Sequence, residues 1–269
     1  VLAIMGYLFG GVLNASLYIP GILLLIQAIL MYFFMFQWKG SKQVSLWAAL
    51  ILLLMPQMFS RTIFADGITT GLAGIFLLGS WIMAIKTYDL SNNYRKSILG
   101  GVFVGLSILS HPAIGLFCSV TFVILNFYSK GFSKKAIMGL FLTGIIALVF
   151  ILPWLYTTIS KHGIAPFLAG LTDSKSSLSA IGRENDVFGY AKSTFYYIVN
   201  KHIDGFSNTW SFIVFPFILA VIFNIIKGPR ILILLLLVGL VTMRGHPSVT
   251  MFVLAASLGL FYDRFFMTF

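Results

Sequence analysis

The chain has 269 residues, of which 59% are hydrophobic and only 9% are charged, and its mean hydropathy is +0.99. Soluble domains carry about 25% charged residues, so this composition excludes an ordinary soluble domain and indicates an integral membrane protein. The net charge of +11 does not predict a nucleic-acid partner, because the basic residues form short clusters between apolar runs, as membrane topology signals do.

Ten apolar segments follow one another along the chain. They are Val1–Leu13, Leu17–Trp38, Val44–Phe59, Ile68–Ile85, Ser97–Leu109, Ala113–Tyr128, Ala136–Thr157, Trp210–Ile226, Ile231–Thr242 and Val249–Tyr262. The longer ones can cross about 30 Å of hydrocarbon as helices, and they lack the strict alternation of membrane strands. The expected fold class is therefore all-α: a polytopic transmembrane helical bundle of about ten spans, some of them short or broken.

Residues 1–269 are expected to form a single transmembrane domain from a longer chain, because Val1 lies within apolar sequence. The long gap 159–208 is expected to be an extracytoplasmic loop with a functional role. Its part 188–203 mixes aromatic and charged residues, which fits either an interfacial helix or a loop packed over the bundle. The single cysteine, Cys118, lies inside an apolar run and is expected to fill core space.

The charges of the gaps alternate along the chain. One set of gaps carries eleven Lys or Arg and two acids, whereas the other holds all four histidines and five of the seven acids. The positive-inside rule makes the first set cytoplasmic. We therefore expect a multi-pass protein of the plasma membrane, with the histidines and loop 159–208 on the outer face.

Two segments look unusually short, Ser97–Leu109 and Ile231–Thr242, and each precedes a His-Pro turn. Both turns are expected at membrane depth, where non-helical backbone is tolerated only if it is buried in protein or lines a wet cavity. His111 and His246 could each bind a phosphate or sugar hydroxyl, carry a proton, or simply cap a helix end. Arg244 is better suited to clamp an anion, because guanidinium is permanently charged.

Two further pairs complete the candidate site. Arg61 and Asp66 lie between apolar segments near the outer boundary, either as functional charges or as a pair that snorkels to the interface. Lys161 and His162 follow an apolar segment and could begin a stretch that faces substrate. No nucleotide, dinucleotide or metalloprotease motif is present, so we expect no soluble cofactor, and a divalent metal requirement stays open.

Four stretches of the chain carry a resemblance. They are Gly101 to Pro112 (GVFVGLSILSHP), Phe64-Ala65-Asp66-Gly67, Pro153 to Phe167 with its His162-Gly163-Ile164-Ala165-Pro166, and Arg244-Gly245-His246-Pro247. In order and sidedness they resemble recurrent segments of the polytopic GT-C glycosyltransferases, in the branch related to protein O-mannosyltransferases and lipid A aminoarabinose transferases. The first resembles that family's GLxxLT(H/K/R)P segment.

The resemblance implies an enzyme that moves a sugar from a polyprenyl-phosphate carrier to a lipid, glycan or protein acceptor outside the membrane. Its catalytic base would be an acid in a loop after the first span, which this sequence lacks, so the base is expected upstream of Val1. The donor phosphate and sugar would be bound by Arg244, His111, His246, Lys161, His162, Arg61 and Asp66. The alternatives are a transporter or flippase for lipid-linked glycans or other anions, which would use the same cations without chemistry, and a noncatalytic scaffold.

Overall fold

The computed structural model describes residues 12–54, 67–85, 93–164, 222, 226, 229–242 and 247–266. All regular secondary structure in these ranges is helical, which confirms the all-α class. The helices are α1 (Val12–Lys39), α2 (Lys42–Leu54), α3 (Gly67–Ala84), α4 (Asn93–Ser110), α5 (Pro112–Lys130), α6 (Lys134–His162), α7 (Arg230–Thr242) and α8 (Pro247–Phe266).

The α1–α2 connection is a tight reversal. The N–H of Gly40 donates to the carbonyl of Phe36 at 2.7 Å, and Gly40 has a φ of +72°. A residue with a side chain rarely adopts that left-handed conformation, so glycine is the natural end for α1. The hydroxyl of Ser41 then accepts from the N–H of Val44 at 3.3 Å. The chain thus turns back within two residues and α2 packs along α1.

Helix α3 lies at the centre of the core, and Trp81 is its main contact residue. The indole is fully buried, with ring centroids 5.2 Å from Phe34 of α1 and 6.2 Å from Phe117 of α5. Its Nε1–H donates to Oγ1 of Thr121 at 2.9 Å. A large apolar ring whose one donor is hydrogen-bonded is favourable in a buried position. Trp81 thus packs α3 against both α1 and α5.

Helices α4 and α6 pack through small residues spaced four apart. On α4 these are Ser97, Gly101 and Gly105, and on α6 they are Gly139, Thr143 and Ala147. A Cβ on Gly101 would lie 2.7 Å from the carbonyl of Thr143, and one on Gly105 would lie 3.2 Å from that of Ala147. Small residues at this spacing let two helix backbones approach closely. Close packing then drives helix association in lipid, where the hydrophobic effect does not. The hydroxyl of Thr143 adds a 2.9 Å bond to the carbonyl of Ser97.

The contacts define the two ends of the bundle. Residues along α4 meet residues along α6 in the same order, so these helices are parallel, whereas α3 runs against α4: Ser107 bonds the carbonyl of Ala73 and Gly79 faces Phe103. We call the end with His111 and His162 the histidine end. The opposite end, with Lys39, Lys42, Lys130 and Lys134, is the basic end.

Three helical segments are long and apolar enough to cross a membrane: Tyr18–Lys39, Pro112–Lys130 and Lys134–His162. The described helices do not support the prediction of about ten spans. One reason is length, since α2 has 13 residues and spans only about 20 Å at 1.5 Å per residue. Another is that Val1–Leu13 and Trp210–Ile226 fall largely or wholly outside the described residues.

The expectation that Ser97–Leu109 forms an unusually short helix is wrong. Helix α4 begins at Asn93 and has 18 residues, which is roughly 27 Å of helix. Arg95 and Lys96 interrupt the apolar pattern, but both residue types are good helix formers and their long stems can follow an apolar surface. Helix α7, with 13 residues, is short as predicted.

Candidate functional site

His111 is the single non-helical residue between α4 and α5. Its φ of −154° and ψ of 103° are extended, as expected for a residue before proline. Pro112 then occupies the first helical turn, where an N–H is not needed. The N–H of His111 donates to Ser107 at 2.9 Å, and its carbonyl accepts from Gly115 at 2.9 Å. The predicted helix break at His111 is confirmed.

The imidazole of His111 caps α5. Its Nδ1 accepts from the N–H of Ile114 at 3.5 Å, a long and therefore weak bond. An acceptor at Nδ1 implies that the proton of the neutral ring is on Nε2, which is then a donor. The helix-end interaction that the sequence left open as one alternative is thus present, and the side chain is half-buried at the histidine end.

The position of His111 is fixed by a close approach of α4 and α5. A Cβ on Gly115 would lie 2.3 Å from Cα of Ile108 and 2.6 Å from its backbone nitrogen. No side chain fits at that separation, so glycine is required for the two helices to meet one turn below the break. One turn further along α5, the hydroxyl of Ser119 donates a 2.8 Å hydrogen bond to the carbonyl of Gly115.

Lys161 and His162 form the last turn of α6 and are exposed. Helix α6 continues through Pro153 and ends at Gly163, whose φ is +69° and whose N–H donates to the carbonyl of Ile159 at 2.8 Å. Cations in the last turn are stabilised by the helix dipole. The first four residues of 159–208 therefore belong to a helix, which runs five residues beyond the predicted end at Thr157.

His111 lies at the same end of the bundle as Lys161 and His162, but the described contacts do not join them. Gly105 faces Ala147 and Phe150, so in these parallel helices His111 is level with about residue 155. The last turn of α6 projects roughly 10 Å further at 1.5 Å per residue. The remaining predicted residues, Arg61, Asp66, Arg244 and His246, lie outside the described residues.

At this end Lys161 carries a formal positive charge, and none of the described side chains is an acid. No Asp or Glu is present among the side chains described in 18–54, 68–85, 94–164, 229–238 and 252–261. Nor do three or more His, Cys, Asp or Glu come together as a metal site in the described ranges. The described residues can therefore supply donors and positive charge for an anion, and they contain no candidate for a carboxylate base.

Comparisons of the chain with family models, with curated proteins and with solved structures found no match. The resemblance to GT-C glycosyltransferases therefore rests on its short motifs. In the first of these, Gly101 and Gly105 allow α4 to pack on α6, His111 caps α5 and Pro112 starts it. Each has a structural role that does not require contact with a substrate.

Gln27 of α1 is among the buried polar residues that sequence reasoning missed. It is 1% exposed, and its Nε2 donates to the carbonyl of Gly71 at 2.7 Å. Its Oε1 has no hydrogen-bond partner in the described structure. Polar side chains within apolar spans are costly and tend to be functional or to join helices. The signal was available, since Gln27 is the only amide in the apolar run 17–36.

Proposed function

We propose that the chain is the membrane domain of a glycosyltransferase that takes a sugar from a polyprenyl-phosphate donor and gives it to a lipid, glycan or protein acceptor. In this proposal about ten segments cross the plasma membrane. The histidine end and the segment that follows α6 face outward, while the basic end is cytoplasmic.

The observation that carries the proposal is the histidine end of the described bundle. One histidine stands at a helix break, and a lysine and a second histidine end helix α6, while the side chains described at this end include no carboxylate. When a sugar leaves its carrier, negative charge develops on the phosphate, and fixed donors in a water-poor site stabilise that charge. Arg244 and His246 would join these groups as a further anion clamp.

The experiment compares variants of the full-length protein in proteoliposomes supplied with a polyprenyl-phosphate-linked sugar. His111→Asn is the most informative change, because asparagine is a good helix cap but offers no imidazole. We expect it to keep stability and to lower transfer at least tenfold, and Arg244→Ala to abolish transfer. Lys42→Ala, an exposed cation at the other end, serves as the control and should transfer at the wild-type rate.

Two outcomes would oppose the assignment of the site. Wild-type transfer by both His111→Asn and Arg244→Ala would leave these residues with structural roles only. Movement of the intact lipid-linked sugar across the bilayer, without release of polyprenyl phosphate, would favour the transporter, which uses the same cations without breaking a bond.

A further inference from the structure

The basic end of the bundle carries a strong excess of positive charge. Among the described helices, every connection at this end is bordered by Lys or Arg. The cations are Lys39, Lys42, Arg95, Lys96, Lys130, Lys134, Lys135 and Arg230. The side chains described around them include no acid. This surface is separate from the candidate site, which lies at the opposite end.

Three helices converge at one corner of this end. Ser97 of α4 lies against Gly139 of α6, and the amide of Asn126 on α5 donates to the carbonyl of Ala136 at 3.4 Å. These contacts bring the ends of α4, α5 and α6 together. Lys96 and Lys130 lie at these converging ends, and an anion between them would offset the repulsion of two like charges.

The α5–α6 turn adds an exposed aromatic ring to this charge. Gly131, with a φ of +67°, ends α5. Phe132 is then 87% exposed, stacked on Phe127 with ring centroids 4.4 Å apart. Exposed Lys134 and Lys135 follow at once. Exposing a phenylalanine ring to water is unfavourable. At a membrane interface the same arrangement is favourable, because the ring enters the boundary of the acyl chains and the lysine ammonium groups contact lipid phosphates.

We propose that this corner, Lys96, Lys130, Phe132, Lys134 and Lys135, binds the headgroup of an anionic phospholipid. The position favours lipid over a soluble partner, because the turn joins the only two consecutive described helices that are both of membrane-crossing length and composition. Their shared end therefore lies at headgroup depth. The lysines hold the phosphate and Phe132 inserts beside the acyl chains.

The test measures lipid retained by the full-length protein in detergent, using native mass spectrometry with phosphatidylglycerol and with phosphatidylcholine. We expect wild type to retain phosphatidylglycerol preferentially. In the variant Lys130→Gln/Lys134→Gln/Lys135→Gln the affinity should fall roughly 100-fold, since one lysine near an anionic surface contributes about fivefold. Phe132→Ser should weaken retention of both lipids. Lys42→Gln, an exposed cation at the α1–α2 turn of the same end but outside this corner, is the matched control and should leave the preference unchanged.

Equal retention of the two lipids by wild type, or a preference that survives in the triple variant, would overturn the proposal. Release of phosphatidylglycerol by millimolar inorganic phosphate would also overturn it, in favour of a soluble phosphate ligand. Should the triple variant fail to fold, the double variant Lys134→Gln/Lys135→Gln decides the matter, because both side chains are exposed and a loss of about 25-fold is expected.

Discussion

Replacing Gly115 with alanine tests the packing that holds the helix break at His111. The added methyl carbon would lie 2.3 Å from Cα of Ile108 and 2.6 Å from its nitrogen, whereas ordinary contacts are 3.4–4 Å. Both obstructing atoms belong to the backbone, so no change of rotamer can remove the overlap. Helices α4 and α5 must separate by roughly 1 Å at this point, which opens a packed interface.

The expected cost can be estimated from two opposing terms. Overpacking of a core costs about 1–3 kcal/mol, and more where the backbone must move, while alanine in place of glycine inside a helix returns about 1 kcal/mol. A net loss of about 2 kcal/mol in unfolding free energy is expected, or a thermal midpoint lower by roughly 5 °C. Gly144→Ala is the matched control, because nothing lies within 4 Å of that position in α6.

The thiol of Cys118 can report the thermal unfolding of these variants. Cys118 is the only cysteine of the sequence, is fully buried, and lies one turn beyond Gly115 on α5. Detergent-solubilised protein is heated with a fluorogenic maleimide, and the thiol reacts as the α4–α5 interface opens. Gly115→Ala should label at lower temperature and Gly144→Ala at the wild-type temperature or above. An unchanged midpoint for Gly115→Ala would refute the close approach of the two helices.

Three further changes test other parts of the structure. Trp81→Phe leaves a void and removes the donor to Thr121, so we expect a loss of about 1–3 kcal/mol, measured by the same thermal labelling. Gln27→Met keeps the volume and removes the unsatisfied Oε1 together with the donor to Gly71, so the midpoint should change by less than about 3 °C; a large fall would mean that Oε1 has a partner. In intact cells an impermeant maleimide should label His162→Cys and spare Lys135→Cys, and the reverse pattern would invert the proposed orientation.

Much of the helical architecture could be predicted from apolar runs alone, because a helix in lipid must satisfy its own backbone. The ends of the helices were harder to predict than their existence. Arg95 and Lys96 lie inside α4, although the predicted segment began after them, at Ser97. An apolar count cannot tell a charged helix turn from a loop, since long basic side chains can reach the interface from within a helix.

The candidate site was predictable only in its local features. The extended backbone at His111 follows from Pro112, whereas the end of α6 before Gly163 lies five residues beyond the predicted end at Thr157. The contact between Gly115 and Ile108, and the buried amide of Gln27, depend on how separate helices meet, which no single segment specifies. The small residues that let α4 and α6 pack closely recur at a spacing of four on both helices, and two of them, Gly101 and Gly105, also belong to the stretch that resembles GT-C segments.

The central claim is that this protein transfers sugar from a lipid phosphate, and one measurement addresses it directly. The purified full-length protein is incubated in liposomes with a radiolabelled polyprenyl-phosphate sugar and extracts of the cell envelope as acceptor, and the released polyprenyl phosphate is quantified. We expect equal amounts of free polyprenyl phosphate and labelled acceptor. A donor that remains intact, even when it crosses the bilayer, would contradict the claim.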